Sequence, residues 1–143
     1  MLIRDEGRQL RPYLDCCGKY WRDCTCAVKG NLTIGVGRNL DSNGISGKEC
    51  NFLLSEDIAE KTQEVSTKLP WAGTLDDARF GVLINMAFNM GVDGLLEFKG
   101  MLGAMRAGQW DSAASHLLDS LYATQVGDRA KRLAKQLQTG VWQ

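Results

Sequence analysis

The stretch that decides the architecture is Ser46-Gly-Lys-Glu49-Cys50-Asn-Phe-Leu53-Leu54-Ser-Glu-Asp-Ile58, continuing to Val65 and Thr67. Ser46 followed by Glu49 three residues on is a capping box, in which side chain and backbone satisfy each other at a helix start. Cys50, Leu53, Leu54, Ile58 and Val65 then recur at helical spacing, which predicts one long helix at about 47–67 with a single buried face. Such a helix, of about twenty residues, spans roughly 30 Å, enough to join two lobes.

Upstream of it, residues 1–10 read as a short amphipathic helix with Leu2, Ile3 and Leu10 apolar, ended by the restricted step before Pro12. Glu6 then falls near a helix end. Gly18, Gly30, Gly35 and Gly37 break any helical period from Tyr13 to Leu40, while Leu32-Thr-Ile-Gly-Val-Gly37 alternates as a strand does. A small antiparallel sheet is expected there, left through a turn at Asp41-Ser-Asn-Gly44.

Downstream, Leu69-Pro-Trp-Ala-Gly73 reads as a loop and Thr74-Leu-Asp-Asp77 as the cap of a central core helix carrying Phe80, Leu83, Ile84, Ala87 and Phe88. Shorter helices are expected at about 94–106, 109–119 and 127–138, punctuated by Gly91, Gly108 and Gly140, with Trp110 in the core. The expected class is α+β and mainly α, a single domain over 1–143. A sheet lobe at about 11–50 is joined by the long helix to a helical-bundle lobe at about 68–143, on which helix 1–10 packs. The cleft between such lobes is the natural place for a ligand.

Composition narrows the function. The 143 residues are 44% hydrophobic and 24% charged, ordinary globular values that exclude intrinsic disorder. Lys plus Arg and Asp plus Glu number 17 each, with ten of each sign up to Pro70 and seven after it, so no region is a polyelectrolyte suited to nucleic acid. Residues Met1 to Glu6 turn charged by the fourth position, unlike a secretory signal, and no stretch has the length and apolarity of a membrane span. The single histidine, His116, has no acid motif around it, which leaves little basis for a serine or cysteine nucleophile site. Gly35-Val-Gly37 lacks the further glycine and following helix of a phosphate loop.

The remaining chemistry lies in carboxylates and cysteines. Glu6 at a helix end and Asp15 leaving the first strand can face one cleft from different elements, the division of labour that glycoside hydrolysis needs. On spacing alone, two acids nine positions apart are a weak signal, and solvated surface charges are the better reading. A wider pattern adds to them. Ile3-Arg-Asp-Glu6-Gly-Arg-Gln-Leu-Arg-Pro-Tyr-Leu-Asp15, Leu32-Thr33-Ile-Gly-Val-Gly37 and Ala78-Arg-Phe-Gly-Val-Leu-Ile-Asn-Met-Ala-Phe-Asn-Met-Gly91 follow one another in order. Gly108-Gln-Trp-Asp-Ser-Ala-Ala114, Gly127-Asp-Arg-Ala-Lys-Arg132 and Thr139-Gly-Val-Trp142 complete the series. Together they resemble the phage-type lysozymes of glycoside hydrolase family 24 along nearly the whole chain.

The resemblance implies a muramidase that cleaves the β-1,4 bond between N-acetylmuramic acid and N-acetylglucosamine in peptidoglycan with inversion, causing cell lysis. It implies Glu6 as general acid, Asp15 as the second carboxylate and Thr33 as a hydroxyl that helps to hold water. Arg129 matches a cation that poises the acid, Phe88 and Asn89 match cleft residues that bind sugar, and Tyr122 stands where the family often has tryptophan. Thr33 also reads simply as a strand residue, Phe88 as core, and Arg129 as part of a solvated basic face with Lys131, Arg132 and Lys135. No cofactor is required, and the expected partner is peptidoglycan alone, with no nucleic acid, no stable membrane association and a monomeric chain. The expected location is the host cytoplasm, with release through a separate membrane-permeabilising protein.

The departure from that family is the seventeen residues between Asp15 and Thr33, a much longer connection than the pattern has. It makes Asp23 a rival second carboxylate and holds Cys16, Cys17, Cys24 and Cys26 within eleven residues, while Cys50 stands apart as a small core residue of the long helix. The four clustered cysteines have three readings: ligands of a structural zinc, disulfides formed after release, or free thiols. A lytic transglycosylase, which needs one glutamate and no water-directing acid, is the enzymatic alternative. A noncatalytic cysteine-bearing module that binds metal or a partner is the other.

Overall fold

The first strand begins earlier than the sequence pattern suggests. In the computed structural model, which describes Arg4 and residues 7–143, β1 runs Gln9–Leu14. Gln9 and Leu10 therefore belong to a strand, and most of the expected opening helix, Glu6 included, lies outside the described residues. Pro12 sits inside β1, at an irregular stretch between the Gln9–Gly35 and Tyr13–Thr33 pairs. Its nitrogen has no proton to give the ladder, which a bulged edge strand tolerates.

β2 (Leu32–Gly35) pairs antiparallel with β1 and with β3 (Arg38–Asn39), giving the order β1-β2-β3. A 3-10 turn, Trp21–Asp23, interrupts the β1–β2 connection. The expected turn at Asp41–Gly44 is instead a short helix, α1 (Leu40–Asn43), because the Asn39 side chain accepts the Ser42 N–H and caps it. The Asp41 carboxylate accepts the Leu32 N–H at 2.7 Å, tying α1 back to β2.

α2 (Gly47–Lys68) is the long helix that the capping box predicts. The Ser46 N–H donates to Glu49 Oε2 at 2.7 Å and the Glu49 N–H to Ser46 Oγ at 3.3 Å, while Arg38 donates to Glu49 Oε1 at 2.7 Å. Those hydrogen bonds, led by the Ser46 N–H, hold the Glu49 carboxyl below its usual range. The buried face differs from expectation. Val65 is buried, but Leu53, Leu54 and Ile58 are exposed, and Cys50 is exposed too and no core residue. Helical periodicity identifies a stripe; it does not say how much of the stripe other elements cover.

The chain divides into two compact units, Met1–Phe52 and Leu53–Gln143, with the boundary inside α2. Among the described residues of the first, only Leu14 and Thr33 are buried. The second holds a continuous apolar core that includes Val65, Leu83, Met86, Leu95, Met101, Met105, Leu117 and Leu137, each contributing about 1.5–3 kcal/mol on burial.

Most of that core comes from five helices, α3 (Asp77–Leu96), α4 (Lys99–Arg106), α5 (Trp110–Leu118), α6 (Leu121–Val126) and α7 (Asp128–Thr139), with Val65 added from α2. The expected loop after α2 is a 3-10 turn, Pro70–Thr74, and α6 is a helix that the sequence pattern left unassigned. Gly91, with φ 78° and ψ 164°, breaks α3 in a conformation closed to side-chain-bearing residues. Trp110 is half-buried, and the Arg79 guanidinium lies 4.0 Å from its ring centroid.

Arg79 closes this unit. Its Nε donates to the Leu137 carbonyl at 2.8 Å and Nη2 to the Gln138 carbonyl at 3.0 Å, capping the last turn of α7. Its Nη1 pairs with Asp76 at 2.7 Å, and Asp76 caps α3 by accepting the Arg79 N–H. The class is α+β and mainly α, as the sequence pattern predicts.

Two measurements follow from this packing. Gly91→Ala should destabilise the chain by roughly 1–3 kcal/mol, whereas Gly103→Ala, in open space on α4, should stabilise it by roughly 0.5–1 kcal/mol, both read from urea denaturation. Burial raises the Asp76 carboxyl, but the Arg79 N–H and guanidinium outweigh that and leave it lowered. Its contribution is therefore fully present above the ordinary aspartate pKa and lost as pH falls through the depressed value. Asp76→Asn should accordingly flatten the loss of thermal stability on acidification relative to wild type.

Candidate active site

Asp15 and Thr33 meet through a residue that the motif reading passed over. The Asn31 N–H donates to Asp15 Oδ1 at 2.8 Å and the Asn31 side-chain amide donates to Oδ2 at 3.0 Å, so one residue holds both carboxylate oxygens. The Asn31 carbonyl in turn accepts the Asp15 N–H at 3.2 Å and the Thr33 hydroxyl at 3.2 Å. Asp15 is exposed and Thr33 buried, so the group presents a fixed carboxylate at the surface above a covered hydroxyl. Gly30 makes the approach feasible, since a Cβ there would collide with Asp15 Oδ1 and the Cys16 nitrogen. Asp23 lies apart in the exposed 3-10 turn, its N–H on the Tyr20 carbonyl at 2.8 Å, and has no hydrogen bond to this group.

No disulfide joins any of the five cysteines. Within the insertion, the Cys26 N–H lowers the Cys24 thiol to about 7, while hydrogen bonds with Cys16 and Cys24 push Cys26 up to about 12.

In the second unit, Phe88 and Arg129 line a groove of about 560 Å³ with Leu54, Ile58, Phe80, Ile84, Asn85 and Trp142. Its wall depends on a missing side chain, because a Cβ at Gly81 would collide with the Trp142 ring. Arg129 Nε donates to Asn85 Oδ1 at 2.8 Å and Nη2 to the Asn85 carbonyl at 3.2 Å. Phe88 is exposed rather than core, and Asn89 is exposed beside it.

Tyr122 belongs to the interior. It is buried, its ring meets Phe98 edge-on at 5.9 Å, and its hydroxyl has no hydrogen-bond partner. Burial raises its pKa against the opposing charge of Arg129.

The sequence of this arrangement has been met before. The phage lysozyme family profile matches residues 4–138. The chain belongs to the phage lysozyme family. It is 32% identical to the pre-baseplate central spike protein Gp5 of Enterobacteria phage T4, over 98% of this chain and 27% of that protein. It is 28% and 30% identical to the probable T4-type lysozymes 1 and 2 of Dictyostelium discoideum, in each case over 98% of this chain and 92% of the relative. Membership places the chain among lysozyme-type glycosidases, for which a pair of carboxyl groups is the ordinary machinery.

Asn31 and Asn85 are the two site residues absent from the motif reading. Asn31 carried a signal as a side-chain hydrogen-bonder at the mouth of β2, and Asn85 as the polar member of Val82-Leu-Ile-Asn-Met-Ala-Phe88. As a positioning residue, Asn31 should act through Asp15. Asn31→Ala should lower lysozyme kcat about 10- to 100-fold, and add nothing further in an Asp15→Ala background. A double-mutant cycle measures this.

Proposed function

We propose that this lysozyme-family chain is a muramidase hydrolysing the β-1,4 bond between N-acetylmuramic acid and N-acetylglucosamine in peptidoglycan, with inversion, and that this cleavage lyses bacterial cells. The observation that carries the reading is the common anchor of Asp15 and Thr33 on Asn31. The Thr33 proton is committed to the Asn31 carbonyl, which leaves the hydroxyl oxygen as an acceptor. The exposed Asp15 carboxylate can accept a hydrogen of the attacking water.

In the proposed step Glu6 gives its proton to the leaving glycosidic oxygen as the bond to the anomeric carbon breaks. The water oxygen bonds to that carbon from the opposite face, and its proton passes to Asp15. Phe88 offers an apolar ring to a sugar face, and Arg129, already aimed by Asn85, offers positive charge in the same groove. The chemistry needs no cofactor.

Mass spectrometry of purified peptidoglycan digested by wild type, Asp15→Ala and Glu6→Gln tests the reading. Reducing muramic ends from wild type are expected, with turnover lost in both variants while their circular dichroism stays native. Anhydromuramic ends, the mark of a transglycosylase, would overturn hydrolysis; undiminished turnover in Asp15→Ala would remove that carboxylate from the reaction.

A further inference from the structure

The seventeen-residue insertion brings four sulfurs to one point. The Sγ atoms of Cys16, Cys17, Cys24 and Cys26 all lie within 4.8 Å of one another. Cys16 Sγ is 3.8 Å from Cys17 Sγ and 3.7 Å from Cys24 Sγ. Zinc bonds to thiolate sulfur at about 2.3 Å, and a tetrahedron with that radius has edges of about 3.8 Å. A covalent sulfur pair would instead lie about 2 Å apart.

Backbone hydrogen bonds order the loop that carries the sulfurs. The turn that presents Cys16 and Cys17 is itself closed, with the Cys17 and Gly18 N–H groups on the Leu14 carbonyl at 3.2 and 2.8 Å. Four thiolates on one divalent cation leave two net negative charges, and the same insertion supplies Lys19, Arg22 and Lys29.

The first unit also has a physical need for a crosslink. Among its described residues only Leu14 and Thr33 are buried, far short of the apolar core that holds a small lobe by itself. We propose that Cys16, Cys17, Cys24 and Cys26 form a structural zinc site that closes the insertion at its base, beside Asp15. Four protein sulfurs fill a tetrahedral ion and leave no open position, so the metal stabilises and takes no part in bond cleavage. The thiols lose their protons to solvent as zinc enters.

The test uses the full chain, purified under reducing conditions without chelator and analysed for metals by plasma mass spectrometry. About one zinc per chain is expected for wild type and Cys50→Ser, and none for Cys24→Ser or Cys26→Ser. Cobalt in place of zinc should give thiolate charge-transfer absorption and the intense visible bands of a tetrahedral ion. Should the serine variants fail to fold, zinc added back to the chelator-stripped wild type decides: amide exchange should slow around residues 13–33 while α3 and α7 stay unchanged. A reduced chain that takes up neither zinc nor cobalt overturns the site. So does iron as the resident metal, zinc loss in Cys50→Ser, or disulfides among the four cysteines in chain kept reduced throughout. Because these readouts involve no turnover, an inactive chain that holds zinc would count against the muramidase reading alone.

Discussion

The helical unit depends on how α3 and α7 are crosslinked. Near the start of α3, Arg79 caps the end of α7 through the carbonyls of Leu137 and Gln138. The Gln136 amide, buried in α7, donates to the Ala78 carbonyl at 2.7 Å, and at the other end Arg129 grips Asn85. The two helices therefore run antiparallel, with α7 pinned to α3 at both of its own ends by side-chain hydrogen bonds whose partners lie more than forty residues away in sequence. Arginine suits both positions because its planar fork can donate to two acceptors at once. The α3 and α7 side of the groove follows from this pairing. Trp142 folds back over Gly81 just after the end of α7, and Arg129 enters the groove from the first turn of the same helix.

The sheet unit is held by different means. With almost no apolar interior, it is laced by charge-assisted hydrogen bonds: Asp41 to the Leu32 N–H, Arg38 to Glu49 and the Gly44 carbonyl, and Asp15 to Asn31. Such bonds fix geometry well, while solvent screening keeps the contribution of each exposed one small. The cysteine-rich insertion between Asp15 and Thr33 is compatible with their geometry. The insertion leaves β2 in register with β1 and is gathered back to Asp15 through Gly30 and Asn31.

Much of this was legible in advance because it is local. The capping box at Ser46, the N-terminal start of α3, the alternation of Leu32–Gly35 and the stops at Gly91 and Gly140 each depend on a few neighbouring residues. The errors share one cause as well. Gln9 and Leu10 as helix, Asp41–Gly44 as a turn, and Leu53, Leu54, Ile58 and Cys50 as a buried face were all inferred from local pattern. In two of them a partner distant in sequence decided the outcome, since β2 recruited Gln9–Leu14 as a strand and the core reached α2 only at Val65, whereas at 41–44 the local Asn39 cap made a helix of the turn.

The sequence by itself determined the class, the order of elements, the family and the residue types available for chemistry, because periodicity, caps and motifs are written in adjacent positions. Only the tertiary structure decided that Asn31 holds Asp15 and Thr33 together, that Asn85 aims Arg129, that Tyr122 is interior, and that four cysteine sulfurs converge. Each of these is a directional contact a few ångströms long between residues that chain folding must first bring together. Spacing in a sequence sets which contacts are reachable; packing and hydrogen-bond geometry select the ones that form.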